Sequence, residues 1–186
     1  MRETTPAAPS GAGQEVRRAD PAEFEALAEL EVAAGVRFAG IGVELDVGTP
    51  VARTGRRPAA VFVAGRPPVG FAWIDVLDGH AHLEVLAVLP EHGRAGLGRA
   101  LVEAAAIWAG EAGFSSLTLA TYRDVPWNGP FYASCGFAVL PSWRWTPVLR
   151  RIRRWERRAG LDDFGVRVIM TRPTGGPTGS TTRGGR

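Results

Sequence analysis

Three glycines lie within six residues of one another, directly after an apolar and β-prone stretch over residues 80–89. These glycines are Gly93, Gly96 and Gly98. Glycine lets a backbone turn tightly with its N–H groups pointing inward, and it lets a ligand approach the chain closely. Residues 100–109 then continue with helical spacing, so the turn precedes a helix N-terminus, where phosphate binds well. The pattern predicts a strand, a phosphate-binding turn and a helix.

Two common phosphate-binding motifs fit this turn poorly. A P-loop requires lysine and then serine or threonine after its last glycine, whereas Gly98 is followed by Arg99 and Ala100. A dinucleotide fingerprint requires a further glycine three residues after Gly98, and Leu101 stands there. We reject the P-loop; dinucleotide binding and an ordinary strand-to-helix turn stay open as alternatives.

The turn resembles the acyl-CoA signature of the GNAT superfamily of N-acyltransferases, which is commonly Gln/Arg-x-x-Gly-x-Gly/Ala. The matching residues are Val88-x-Pro90 followed by Gly93-Arg94-Ala95-Gly96-Leu97-Gly98. Gly93 holds the Gln/Arg position, and the arginine follows one residue later. A second block, Asn128 to Phe137, resembles the family's later motif: an asparagine, a Phe-Tyr pair on a helix, and a Gly-Phe that opens a strand.

The resemblance implies acetyl-CoA as co-substrate and no metal. The pantetheine arm would lie between two splayed central strands and pair with backbone groups of the first, while the glycine-rich turn would hold the pyrophosphate. The residues expected at the CoA are Leu86, Ala87, Val88, Gly93, Arg94, Ala95, Gly96, Leu97, Gly98, Arg99, Asn128 and Phe131.

Acetyl transfer to an amine, the reaction that the resemblance implies, requires a proton acceptor for the amine and a donor for the leaving thiolate. Tyr132 matches the tyrosine that serves the thiolate in many relatives; the structural alternative is a ring packed in the core. A strand's period of two predicts that His82, Glu84, Leu86 and Val88 share one face. We take Glu84 as the first candidate for the base and His82 as the second, with an arginine-paired or solvated Glu84 as the alternative.

Composition limits the classes of protein to which the chain can belong. The formal net charge is only +3, and all 22 basic residues are arginine, so a GC-rich coding bias explains the high pI as well as a polyanionic partner does. The single cysteine, Cys135, excludes an intrachain disulfide. We find neither a signal peptide nor an apolar run of about 18 residues, and therefore expect a cytoplasmic protein without a membrane partner.

The remaining pattern predicts the elements that position these residues. Asp20 and Pro21 begin a helix that buries Phe24, Leu27 and Leu30. Residues 35–58 show little periodicity, and the resemblance places them, partly mobile, over the acceptor site. A helix over 97–112 makes the strands on either side of it parallel. The strands are predicted over 15–19, 59–64, 69–77, 80–89, 115–121, 136–140 and 164–170, and a short helix over 127–134.

An arginine-rich segment at 141–160 departs from the minimal family pattern. Thr146-Pro147 begins a helix with Val148, Ile152 and Trp155 on one face. The arginines predicted to line mostly the other face are Arg150, Arg151, Arg153, Arg154, Arg157 and Arg158. Three tryptophans near this segment, Trp127, Trp143 and Trp145, are candidates for an acceptor-pocket wall or for the core.

These observations predict an α/β (α+β) fold of the GNAT type: a mixed, mostly antiparallel sheet with a splayed parallel pair of central strands and helices on both faces. We expect disordered tails at 1–14 and 172–186 and one N-acetyltransferase domain at 15–171. The expected reaction transfers acetyl from acetyl-CoA to a primary amine of a small molecule or peptide, with a homodimer allowed and no nucleic-acid partner. A non-catalytic acyl-CoA module and an RNA-directed acyltransferase that uses the arginine-rich helix are the alternatives.

Overall fold

Alternating and continuous apolar stretches form seven strands in the part of the chain that the computed structural model describes, residues 15–40, 42 and 57–175. The strands are β1 (Val16–Arg18), β2 (Ala60–Ala64), β3 (Gly70–Leu77), β4 (His80–Val88), β5 (Ser116–Tyr122), β6 (Ala138–Val139) and β7 (Arg167–Pro173). The helices are α1 (Phe24–Ala39), α2 (Leu97–Glu111), α3 (Gly129–Ser134) and α4 (Pro147–Arg158).

The strands form one mixed sheet in the order β1-β2-β3-β4-β5-β7-β6, and the predicted fold class is confirmed. Neighbouring strands pair antiparallel except for β4 and β5, which α2 connects and which are parallel. These two strands pair only at Ala81 with Leu117 and at His82 with Thr118. Beyond His82 they separate, so the predicted splay between the central strands is present.

Helices cover both faces of the sheet. On one face α1 buries Leu27 and Leu30 against β2 and β3, and Phe24 packs on Trp73 with ring centroids 5.4 Å apart. Asp20 accepts from the Ala22 N–H in a capping box that begins this region, as the sequence predicts. On the opposite face α2 buries Leu97, Leu101, Val102, Ala105, Ala106 and Ala109. None of the described helices is long and apolar enough to cross a membrane.

A β-bulge in β4 overturns the predicted alternation along that strand. Trp73 pairs with Val85 and Ile74 pairs with Leu83, so Glu84 is the extra residue of the bulge. The extra residue reverses which face the following side chains occupy. Leu83 and Leu86 therefore contact the α2 side, whereas Val85 packs with the α1 side. The prediction that His82, Glu84, Leu86 and Val88 share one face is wrong.

Several element boundaries differ from the sequence prediction. Helix α1 continues past Gly35 to Ala39, and β7 begins and ends three residues later than predicted. The last strand thus includes the first residues of the predicted C-terminal tail. The strand predicted over 136–140 shrinks to the two residues of β6. Residues 1–14 and 176–186 of the predicted tails, and residues 41 and 43–56 of the predicted acceptor segment, lie outside the described residues.

Helix α4 begins as predicted, because Thr146 caps it by accepting from the Leu149 N–H at 3.4 Å. The distribution of its side chains differs from the prediction at two positions. Trp155, predicted on the apolar face, is 61% exposed. Arg153, predicted on the arginine face, is only 5% exposed and pairs with Glu156 and with Asp162 at 2.8 Å. The helix therefore carries a buried ion-pair network besides its exposed arginines.

The buried Arg153 should stabilise the fold far more than its exposed neighbour Arg154. We expect Arg153→Met to lower the free energy of unfolding by about 3 kcal/mol, because it leaves Asp162 and part of Glu156 without a buried cation. Arg154→Met, in the same helix but exposed, should change it by less than about 0.5 kcal/mol. Urea unfolding of both variants measures the difference. Equal losses of unfolding free energy would show that the burial of Arg153 does not determine its contribution to stability.

Candidate active site

The separation of β4 from β5 opens a cavity of about 510 Å³ that reaches the glycine-rich turn and α3. Because β5 turns away after Thr118, the β4 backbone from Glu84 to Val88 borders this gap. The residues predicted for CoA or catalysis that line the cavity are Glu84, Leu86, Ala87, Val88, Gly93, Arg94, Gly96, Gly98, Arg99, Asn128, Phe131 and Tyr132. Ala95, Leu97 and His82 are not part of its lining.

The glycine-rich turn ends in a helix N-terminus that faces the cavity. Gly96 is the residue before α2 and has φ +82°, a left-handed conformation, and Arg94 also has a positive φ of 61°. The first helical bond runs from the Ala100 N–H to the Gly96 carbonyl at 3.0 Å. The N–H groups of the preceding residues have no partner within the helix, and such a helix end favours an anion.

Helices α2 and α3 are joined at the cavity wall. Arg99 donates to the Ser134 carbonyl at 2.9 Å and to its hydroxyl at 3.0 Å. A Cβ on Gly98 would lie 3.3 Å from the ring of Phe131. The small residue at 98 and the arginine at 99 therefore bring the two sequence blocks, which lie about 30 residues apart, into one wall.

A close backbone approach places Asn128 and Tyr132 at the cavity. Gly129 begins α3, and a Cβ there would lie 2.1 Å from the Arg123 carbonyl oxygen, so only glycine fits. Asn128 precedes the helix, and its side chain makes no capping hydrogen bond. Tyr132 is buried, and burial raises the pKa of its phenol well above the usual range. It therefore keeps its proton at neutral pH.

His82 is the last residue of β4 that pairs with β5, and it does not line the cavity. The Thr118 hydroxyl donates to the Ala81 carbonyl at 3.1 Å, so it accepts from His82 Nδ1–H at 2.9 Å. This leaves His82 Nε2 unprotonated, 3.8 Å from Glu84 Oε2. Burial lowers the pKa of His82 to about 4, so the imidazole is neutral at physiological pH. Of the two base candidates, only Glu84 lines the cavity.

The far end of the cavity is built from residues that the sequence did not single out. Helix α1 contributes Glu31, Ala34, Gly35 and Phe38, and β5 and β7 contribute Ala120, Thr121, Tyr122 and Arg167. Helical spacing would have placed Glu31, Gly35 and Phe38 on one face of α1, but nothing local shows that this face meets the gap. Among the three tryptophans, Trp127 lines the cavity, Trp143 is 78% exposed, and Trp145 donates to the Leu140 carbonyl.

Comparison with known proteins agrees with this geometry. Residues 24–137, more than half of the 186, match the model of the acetyltransferase (GNAT) family. A cleft between splayed parallel strands, closed by a glycine-rich helix N-terminus and a Phe-Tyr helix, is the arrangement that the resemblance predicted. The chain belongs to the GNAT acetyltransferase family.

Solved structures share the fold at low sequence identity. The ribosomal-protein-S18-alanine N-acetyltransferase from Escherichia coli is 20% identical, with a TM-score of 0.63 over 90% of this chain and 97% of that one. A GNAT-family acetyltransferase from Staphylococcus aureus is 13% identical, with a TM-score of 0.64 over 86% and 98%. The PaiA N-acetyltransferase from Thermoplasma acidophilum, solved with coenzyme A, is 16% identical, with a TM-score of 0.61 over 87% and 99%.

No group of three or more histidine, cysteine, aspartate or glutamate side chains is arranged to hold a metal within residues 15–40, 42 and 57–175. Cys135 is buried, and burial raises the pKa of its thiol. A thiol with a raised pKa is a poor nucleophile at neutral pH. The titratable side chains that line the cavity include the carboxylates of Glu31 and Glu84 and the phenols of Tyr122 and Tyr132.

Proposed function

We propose that this protein transfers an acetyl group from acetyl-CoA to a primary amine by direct attack within a ternary complex. The observation that carries the proposal is that one cavity joins the glycine-rich helix N-terminus, Glu84 and Tyr132. The turn from Gly93 to Gly98 binds the pyrophosphate, and the pantetheine arm lies in the gap along Leu86, Ala87 and Val88. The thioester then reaches the point where β4 and β5 separate.

The chemistry of the transfer assigns a role to each of two side chains. Glu84, directly or through a water molecule, takes a proton from the ammonium so that the amine can attack the thioester carbonyl. Attack forms the C–N bond of a tetrahedral intermediate, and collapse of that intermediate breaks the C–S bond. Tyr132 donates a hydrogen bond or a proton to the departing thiolate, and the second proton of the attacking nitrogen leaves to water, from which Tyr132 is reprotonated. Because burial raises its pKa, the phenol stays protonated at neutral pH and is available as a hydrogen-bond donor.

The decisive experiment measures free CoA released from acetyl-CoA in the presence of an amine panel, with mass spectrometry of the acetylated product. We expect CoA release that depends on the amine and a product mass increased by one acetyl group. Binding of acetyl-CoA by calorimetry without release with any amine would instead support a non-catalytic acyl-CoA module.

The pyrophosphate position can be tested at Gly96. No atom lies within 4 Å of a Cβ placed on this residue, so Gly96→Glu adds a carboxylate at the cavity mouth without a clash. We expect acetyl-CoA affinity to fall at least ~30-fold, equivalent to about 2 kcal/mol, because the carboxylate repels the phosphates.

Gly79→Glu is the matched control for that variant. Gly79 has φ +75°, close to that of Gly96, equally open surroundings, and a position in the β3–β4 hairpin away from the cavity. Gly79→Glu should impose the same backbone strain and leave the acetyl-CoA affinity measured by calorimetry unchanged. Wild-type affinity in Gly96→Glu would rule out pyrophosphate binding at this turn.

A further inference from the structure

Two hydrogen-bond donors in the cavity wall have no acceptor among the residues that the structure describes. They are the indole Nε1–H of Trp127 and the Nε–H of Arg167, and both atoms are buried. Both residues line the cavity. Burying a donor without an acceptor is unfavourable, so this wall favours a ligand that brings acceptor oxygens.

Arg167 is held rigidly in this position. It donates to Glu156 through Nη2, and its guanidinium lies over the ring of Tyr122, 4.7 Å from the centroid. The Tyr122 hydroxyl in turn donates to the Leu161 carbonyl at 3.1 Å. Only 12% of the Arg167 side chain is exposed. Such a fixed, partly desolvated guanidinium is well suited to a carboxylate, whose geometry it matches.

An aromatic cluster connects the two donors. The ring of Phe38 lies 6.3 Å from that of Tyr122 and 6.2 Å from that of Trp127, measured between centroids. The Arg167 guanidinium covers one face of the Tyr122 ring. This wall is therefore less suitable for binding a second cation. The carboxylates of Glu31 and Glu84 line the same cavity and suit an ammonium group. The cavity therefore combines anionic and cationic side chains.

We propose that the acceptor amine also carries a carboxylate, and that Arg167 and Trp127 bind that carboxylate. This inference rests on the proposed N-acetyltransferase function and adds the class of acceptor: a molecule of the amino-acid type rather than a simple amine or a polyamine. Arg167 and Trp127 determine specificity and take no part in proton transfer. The carboxylate would accept from both donors while the amine reaches the thioester beside Glu84.

The test compares α- and ω-amino acids with their primary amides as acceptors, by kcat/KM for CoA release at fixed acetyl-CoA. We expect the wild type to prefer the acid by at least about 10-fold. This comparison underestimates the preference for the acid. The amine of an α-amino amide is less basic than that of the acid, so a larger fraction of the amide is in the neutral, reactive form at a given pH. In Arg167→Gln the ratio of kcat/KM for the acid to that for the amide should fall to about three or less, mainly because KM for the acids rises.

Arg172→Gln is the matched control, since Arg172 lies on the same strand but pairs with Glu103 at 2.6 and 2.8 Å outside the cavity. It should keep the wild-type preference. Trp127→Phe keeps an aromatic ring beside Phe38 and removes the donor together with part of the indole ring, so it tests the site if Arg167→Gln folds poorly. It should raise KM for the acids about threefold and leave the amides unchanged.

The outcomes separate this inference from the function on which it rests. Transfer to amides as fast as to acids in the wild type, or an unchanged preference in Arg167→Gln, would overturn carboxylate binding and leave N-acetyltransferase activity standing. Absence of CoA release with acids, amides and simple amines alike would contradict the proposed function and this inference with it.

Discussion

Tyr132→Phe is expected to lower kcat roughly 10- to 1000-fold and to leave acetyl-CoA binding nearly intact. The phenyl ring keeps the contacts with Phe131 and Phe137, whose centroids lie 5.1 and 5.8 Å from that of Tyr132. Only the proton donor to the leaving thiolate is lost, and a positioned acid of this kind commonly contributes a rate factor of about 100 or more. Steady-state kinetics with calorimetry of acetyl-CoA binding measures both quantities.

The other tyrosine of the chain provides a control for Tyr132. Tyr122 also lines the cavity, but its hydroxyl is already committed to the Leu161 carbonyl at 3.1 Å. Tyr122→Phe should therefore leave kcat within about threefold of the wild-type value. Full activity in Tyr132→Phe would show that the thiolate leaves unaided, and an equal loss in both variants would indicate damage to packing instead.

Glu84→Gln is expected to lower kcat by a similar factor at neutral pH, but with a different dependence on pH. The variant cannot accept a proton from the ammonium, so only amine that is already neutral can react. As the pH rises toward the pKa of the amine, the neutral fraction grows and the loss should shrink. The pH profile of kcat/KM for wild type and variant measures this recovery.

Tyr132→Phe should show no such recovery, since protonation of the thiolate requires no base. The two variants therefore give distinct pH profiles from similar losses at neutral pH. Activity of Glu84→Gln equal to wild type at every pH would move the base to His82 or to water held by backbone carbonyls. His82 is the less suitable candidate, because its ring is buried and donates from Nδ1 to Thr118.

The sequence by itself predicted the elements whose signals are local. Asp20 and Pro21 began the first helical region, and Thr146 capped α4. The glycine-rich turn and the Phe-Tyr block were recognised because both motifs are contiguous in the chain. A helix between two strands predicted the parallel pair, and the resemblance predicted that the pair would splay.

The tertiary structure alone decided which side chains meet in the gap. The bulge at Glu84 arises from the register of β4 against Trp73 and Ile74 in β3, and periodicity along one strand contains no information about that register. The spacing along α4 likewise predicted that Arg153 lies with the other arginines, opposite the apolar face. Arg153 is buried because Asp162 and Glu156 neutralise it from a following turn and from its own helix.

The proposed acceptor wall of the cavity shows the same distinction most clearly. Phe38, Tyr122, Trp127 and Arg167 come from four separate segments of the chain, and each has an ordinary sequence context. Only the packing of α1 over the sheet and the position of β7 beside β5 bring these side chains together. Local sequence determined the glycine-rich and Phe-Tyr motifs, whereas contacts between distant segments determined the wall that we propose to bind the acceptor.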